Sequence, residues 1–213
     1  MKFSSLSKKK IIIYFFILFN FSLNGNSQTL QRRGIELIPQ ISFTGTGDVW
    51  GPGFTIRYTN YFKKRFSYSL WAGCTIHSAS DPLSFTDSLG RFYDISIRDV
   101  TGGIQCGSTI EYALIRSKKQ EFKLGFGGLI RYQSTSLPDI VTVFYPAGTG
   151  IPFPVYVFQQ ESRQKTIAIG ANVQIGYNFI FKNNLYIGVL SSWQMDSNGE
   201  SILPTGLTVG KKF

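Results

Sequence analysis

The chain has 213 residues and carries 22 Lys+Arg against 12 Asp+Glu, a formal charge of +10. Hydrophobic residues make up 43% and aromatics 15%, too much for a disordered chain, and two cysteines are too few for a disulfide scaffold. Charged residues reach only 16%, below the roughly 25% of an ordinary soluble domain, while 22 Gly, 19 Phe and 11 Tyr are abundant.

The first segment reads as an address. Lys2, Lys8, Lys9 and Lys10 precede an almost wholly apolar run over residues 11–21, and Gly25 and Ser27 supply the small residues of a cleavage site. This makes residues 1–27 a cleaved secretory signal peptide, with Gln28 as the mature N-terminus. As a membrane anchor the run is too short: its helix rises only about 16 Å, roughly half a hydrocarbon core. No Cys follows the site, which disfavours a lipoprotein anchor. Removing the peptide lowers the charge to +6, the chain's +10 less four lysines. No nucleic-acid partner is expected for an exported chain without a helix-turn-helix, zinc-finger or RNP-like motif.

Residues 28–213 form one domain in which apolar and polar residues alternate with period two, the mark of half-buried strands. In chain order, Ile35, Leu37, Ile41 and Phe43 alternate with Glu36, Gln40, Ser42 and Thr44. Phe54, Ile56 and Tyr58 alternate with Thr55, Arg57 and Thr59, and Phe66 to Ile76 oppose Ser67 to His77. Further strands are expected over 100–114, 122–132, 165–181, 185–195 and 203–213, making eight. The connections at 63–65, 116–120 and 182–184 are short, basic and polar. Those around 45–51, 79–98, 137–162 and 196–201 include the two longest. In an up-and-down arrangement all the short turns fall at one end, the layout of an outer-membrane barrel.

A soluble barrel alternates too, so the polar face decides between them. A water-facing strand surface should carry roughly a quarter to a third charged residues. From Thr166 to Asn178 the polar face carries none, which suits a crowded eight-strand interior. Crossing an apolar band of ~25 Å at a tilt of ~40° takes about ten residues, as these segments supply. Phe62, Phe66, Tyr112, Phe122, Phe179, Phe181 and Phe213 cluster near the short-turn end, and Trp50, Tyr132 and Trp193 near the other, as interfacial girdles do.

On this architecture and the terminal GLTVGKKF, the chain resembles the small Gram-negative outer-membrane β-barrel proteins, the OmpA- and OmpX-like, porin-like group. The resemblance covers residues 34–213. It implies an all-β fold, an eight-stranded antiparallel up-and-down transmembrane β-barrel, contacting outer-membrane lipids and lipopolysaccharide as a monomer. In that group a C-terminal aromatic with alternating hydrophobic residues before it is read by the barrel-assembly machinery. Leu207, Val209 and Phe213 fit that signal, and Lys211 departs from it. No peptidoglycan-binding domain is expected after Phe213.

Several residues carry candidate chemistry. His77, the one histidine, lies in His-Ser-Ala-Ser-Asp at the outer end of a strand and suggests a hydrolase or acyltransferase constellation. Lipid A palmitoyltransferases and deacylases are eight-stranded barrels of this kind, but the deacylase-like His-x-Ser-Asn string is absent, with Ala79 and Ser80 in its place. Arg57, Glu111, Lys123 and Arg131 fall on the lumen parity. They either line an ion path or, as isolated buried charges are costly, compensate one another and fill the interior. The latter is the expectation. The basic turns 63–65 and 116–119 are read as solvated, with phospholipid head groups or peptidoglycan as the alternative partners. Residues 125–128 are not a phosphate loop, no metal-ligand spacing occurs, and no cofactor is expected.

Residues 137–162 hold two runs apolar on both faces around a Pro/Gly tip, a hairpin continuing past the membrane. Phe144, Tyr145, Phe153, Tyr156 and Phe158 are its candidate contacts for an extracellular partner, unless the hairpin folds onto Phe85, Phe92 and Tyr93 instead. Cys74 and Cys106 share the lipid-facing parity and stand directly opposite if the hairpin centre is Gly90; two free thiols are favoured over a disulfide. The function expected is a non-enzymatic surface or structural barrel. The alternatives are a lipid A-modifying enzyme centred on His77 and a narrow transport barrel for small solutes.

Overall fold

A computed structural model describes residues 31–45, 49–81, 84–86, 90–94, 97–136, 140–151, 154–159 and 165–213. The expected signal peptide and mature N-terminus lie outside the described residues. In chain order the elements are β1 (Arg33–Thr44), β2 (Val49–Tyr61), β3 (Phe66–Asp81), the small pair β4 (Ser84–Thr86) and β5 (Phe92–Asp94), β6 (Ile97–Arg116) and β7 (Gln120–Thr135). A second small pair follows, β8 (Ile140–Phe144) and β9 (Val155–Gln159), around the helical turn α1 (Pro146–Thr149). Then come β10 (Lys165–Ile180), β11 (Leu185–Asp196) and β12 (Ser201–Lys212).

Eight of these strands close into an antiparallel barrel in the order β1-β12-β11-β10-β7-β6-β3-β2, while β4–β5 and β8–β9 are separate two-stranded sheets. Closure comes from β1 and β12, which pair from Gly34 opposite Lys212 to Thr44 opposite Ile202. The Arg33 and Phe213 backbones exchange hydrogen bonds of 3.0 and 2.9 Å beyond that ladder, so both ends of the barrel sequence meet at the short-turn rim. The turn between β10 and β11 needs a left-handed residue and finds it in Asn184, at φ 64.

The alternation in the sequence becomes an inside and an outside. Along β1 every second residue from Gly34 to Ser42 is buried and those between them are exposed. Ile35, Leu37, Ile56, Leu70, Ile110, Phe126, Ile130, Val173, Ile175, Ile187, Leu207 and Val209 all stand on the outer wall. A continuous apolar belt on every barrel strand far exceeds the few hundred Å² that soluble monomers leave exposed. Lipid is the solvent that suits it, and barrel closure leaves no unpaired strand edge to face that lipid. The belt ends in rings: Phe66 packs on Phe62 and Tyr112, and Phe179 meets Phe181 edge-on at 5.4 Å.

One sequence expectation needs correction. Arg116 is not a solvated turn residue. The β6–β7 register shifts between Ala113 and Ile115, and this bulge turns Arg116 inward as the last residue of β6. Its guanidinium lies 3.4 Å above the Tyr61 ring and donates to the carbonyls of Lys64 and Gln31 at 2.7 and 2.8 Å. The cysteines keep the lipid-facing parity expected of them, in a register other than the one that would oppose them directly. Cys74 faces Ile104 and Cys106 faces Ala72, a register two residues away from direct opposition. Both thiols are free, exposed and on the lipid face, as diagonal neighbours. Accordingly, intact-mass analysis of the unfolded, unreduced protein after maleimide treatment should show an adduct on each thiol. A species refractory to labelling until reduced would mean a disulfide.

The belt also predicts a depth profile for charge. Ile175→Lys, in the mid-belt of β10, should lower unfolding free energy in liposomes by about 2–4 kcal/mol, whereas Phe181→Lys at the rim should cost about 1 kcal/mol or less. Equal costs at the two depths would argue against a bilayer around this wall.

Candidate functional site

Every polar side chain on the inward parity needs a partner inside the barrel, because lipid surrounds the wall. At the short-turn half, Glu111 is the hub. Its Oε1 accepts from Arg57 Nη1 at 3.0 Å and Gln174 Nε2 at 2.7 Å, and its Oε2 from Ser67 Oγ at 3.0 Å and Lys123 Nζ at 3.2 Å. The register explains how they meet: Ser67 stands directly opposite Glu111, while Arg57 stands opposite Glu36. Arg57 Nε lies 3.3 Å from Glu36 Oε1, and the Tyr186 hydroxyl donates to Glu36 Oε2 at 3.0 Å.

Toward the rim Glu121 repeats the theme. It accepts from Lys212 Nζ at 2.8 Å and from the Tyr61 hydroxyl, with Lys123 Nζ at 3.9 Å and Arg116 Nε at 4.0 Å. The three carboxylates Glu36, Glu111 and Glu121 thus face four cations, Arg57, Arg116, Lys123 and Lys212. Glycines make the space. A Cβ on Gly125 would sit 2.7 Å from Gln174 Nε2, and one on Gly107 would sit 2.6 Å from the Trp71 ring. Gly107 lies directly opposite Trp71, whose Nε1 donates to Thr109 Oγ1 on the same neighbouring strand at 3.2 Å.

Arg131 belongs to a second cluster, toward the long-loop end. It donates to Asp196 Oδ2 at 2.6 Å, to Gln105 Oε1 at 3.0 Å and to Gln194 Oε1 at 2.7 Å. Of the expected lumen residues, then, Arg57, Glu111 and Lys123 come together and Arg131 stands apart. Sequence reasoning missed Glu36, Glu121 and Lys212 as their partners, and Asp196 as that of Arg131. Parity carries the signal for the first three, but the fifth expected strand starts at Phe122, one residue after Glu121, and Asp196 falls in an expected loop.

His77 is buried beside a residue that sequence reasoning did not pair with it: its Nε2 lies 2.8 Å from Ser42 Oγ. A nucleophilic serine would donate to that nitrogen. Ser42 Oγ also lies 3.1 Å from the Gly51 carbonyl, a second acceptor within reach of its one proton. Ser42 is also wholly buried. The pair therefore reads as lumen packing. Among the described residues, no group of His, Cys, Asp and Glu is placed to hold a metal ion.

At the outer end, β8 and β9 pair from Ile140 opposite Gln159 to Phe144 opposite Val155, around α1 and the left-handed Gly150. Phe144 and Tyr145 are 47% and 69% exposed, Tyr156 is half-buried, and Phe92 is 68% exposed. Phe153 lies outside the described residues, as do the side chains of Phe158, Phe85 and Tyr93. Leu207, Val209 and Phe213 all face outward near the short-turn rim.

A closed eight-stranded wall, apolar outside and filled by paired charges within, defines a membrane-spanning β-barrel with a plugged lumen. Solved structures show the same fold. Ail, the attachment invasion locus protein of Yersinia pestis, is 10% identical with a TM-score of 0.50 over 87% of this chain and 100% of its own. Neisserial surface protein A is also 10% identical, with a TM-score of 0.51 over 85% of this chain and 96% of its own. The fold is that of the small eight-stranded outer-membrane barrels. No protein-family model and no curated protein matches the sequence.

Removing one partner of a buried ion pair strands the others, so Glu111→Ala should lower the unfolding free energy by about 3–5 kcal/mol. Urea unfolding from liposomes measures this. A change below 1 kcal/mol would mean that Glu111 is not the hub.

Proposed function

We propose that this chain is a non-enzymatic outer-membrane barrel, exported through a cleaved signal peptide, that works as a surface or structural element through its outer loops. The observation that carries this reading is the paired-charge filling of the lumen: Arg57, Glu111 and Lys123 in one half and Arg131 with Asp196 in the other. A narrow eight-strand barrel so filled offers no polar path for a solute, which removes the support for a transport barrel. The burial of both Ser42 and His77 inside the barrel wall disfavours a lipid A-modifying enzyme.

What remains chemically available is the outer end. The β8–β9 hairpin presents Phe144 and Tyr145 beside a strand edge outside the barrel ladder, a combination suited to an extracellular protein partner. Ail, with the same fold, is an attachment invasion locus protein, so such a scaffold is compatible with that kind of role. Leu207, Val209 and Phe213 serve as the assembly signal, and the belt contacts outer-membrane lipids and lipopolysaccharide. The barrel acts as a monomer.

Three measurements on one strain set test the proposal. The purified barrel should give no stable conductance in planar bilayers. Lipid A mass spectra should be identical with the wild-type gene, with His77→Ala and with the gene removed. An epitope inserted at Gly148 should be reached by antibody on intact cells. Stable conductance would instead establish a pore, and a His77-dependent acyl change an enzyme.

A further inference from the structure

We propose that the short-turn rim holds a binding site for an anionic phospholipid of the adjacent leaflet, between the β6–β7 and β10–β11 turns. The inference rests on the membrane-barrel fold and is independent of what the outer hairpin does.

Two adjoining clefts carry it. The first, of about 540 Å³, lies between the two turns and is lined by Lys118, Lys119 and Lys182, with Arg116 and Lys212 at its back. No carboxylate is among its lining residues. Arg116 and Lys212 are already committed to Glu121, whereas Lys118, Lys119 and Lys182 are exposed and enter no ion pair among the described residues. Three lysines without an ion pair among the described residues therefore line one concave surface, which an anion complements.

The second cleft, of about 560 Å³, shares Phe181 and Lys182 with the first and continues up the outer wall over Leu185, Ile187 and Val209. Those side chains are apolar and lipid-facing. A basic cleft that shares Phe181 and Lys182 with an apolar groove on the membrane side fits one molecule with both characters: a phosphodiester head group on the lysines and an acyl chain along Phe181 and Ile187. A free phosphate would occupy only the first cleft. A zwitterionic lipid brings a cation of its own next to the ammonium groups and gains less. Anionic lipid is also the species that juxtamembrane basic clusters attract.

Native mass spectrometry of the full barrel in detergent, titrated with phosphatidylglycerol, phosphatidylcholine or inorganic phosphate, tests the proposal. Phosphatidylglycerol should bind at least tenfold more tightly than either of the others. The triple variant Lys118→Gln, Lys119→Gln, Lys182→Gln should lose that preference by about tenfold or more. The equally discharged Lys63→Gln, Lys64→Gln, Arg65→Gln on the neighbouring turn should keep it. Phe181→Ala should weaken the lipid and leave phosphate unchanged. All these positions lie in turns or at the rim, and heat-modifiable mobility checks that each variant is folded; should the triple variant fail to fold, Lys182→Gln alone carries the comparison. Equal loss in the two triple variants, equal affinity for phosphatidylcholine, or phosphate binding as tightly as lipid would each overturn the site.

Discussion

The structure depends on one constraint: a charged side chain on a strand with lipid outside must be compensated inside the barrel. Glu111 is where that constraint is met most completely, accepting from Arg57, Gln174, Ser67 and Lys123 with both carboxylate oxygens. Those donors come from β2, β10, β3 and β7, so one carboxylate ties strands that are distant in sequence. Without such cross-links a barrel is held by its ladder alone. With them, the register of each strand is also selected by which lumen side chains can meet, because a one-residue slip would turn the charges into lipid.

The same constraint explains where the glycines fall. A lumen narrow enough to be filled by side chains has no room for a large residue at every inward position, so large and small must alternate across facing strands. Trp71 occupies its layer because Gly107 stands opposite, and Gln174 reaches Glu111 because Gly125 has no Cβ in its way. The glycine-rich stretch of β7 is thus a packing feature of the lumen rather than a flexible segment.

Strand positions and facing were legible in the sequence because both follow from period-two alternation, which survives in a single chain without any knowledge of neighbours. Arg57, Glu111, Lys123 and Arg131 could be assigned to the lumen for that reason. Which of them touch was not legible, since that depends on stagger between strands. The cysteines show the limit well: their shared face followed from parity, but their opposition required a register that the long β3–β6 connection leaves open, and the true one differs by two residues. Arg116 shows another limit. A bulge after Ala113 changes parity locally, so a residue that reads as turn becomes part of the lumen. Ser42 beside His77 was hidden for a third reason, as contacts between first and third strands skip the strand between them.

A filled lumen also separates the two ends of the molecule. Paired charges stand in both halves, with Trp71, Thr109 and Asn172 between them. The two clusters share no ion pair among the described residues, so each end can be shaped by its own surroundings. The outer end carries apolar hairpin residues and the acidic Asp196 and Glu200 turned inward onto Arg131. The inner end carries short turns rich in lysine, with no acid between Arg116 and Gln120 or between Phe181 and Leu185 to offset them. That asymmetry is what a barrel needs if one rim faces solvent and partners while the other faces the head groups of a leaflet: short basic turns hold depth and orientation, and the long connections are left to vary in length and sequence without disturbing the wall that supports them.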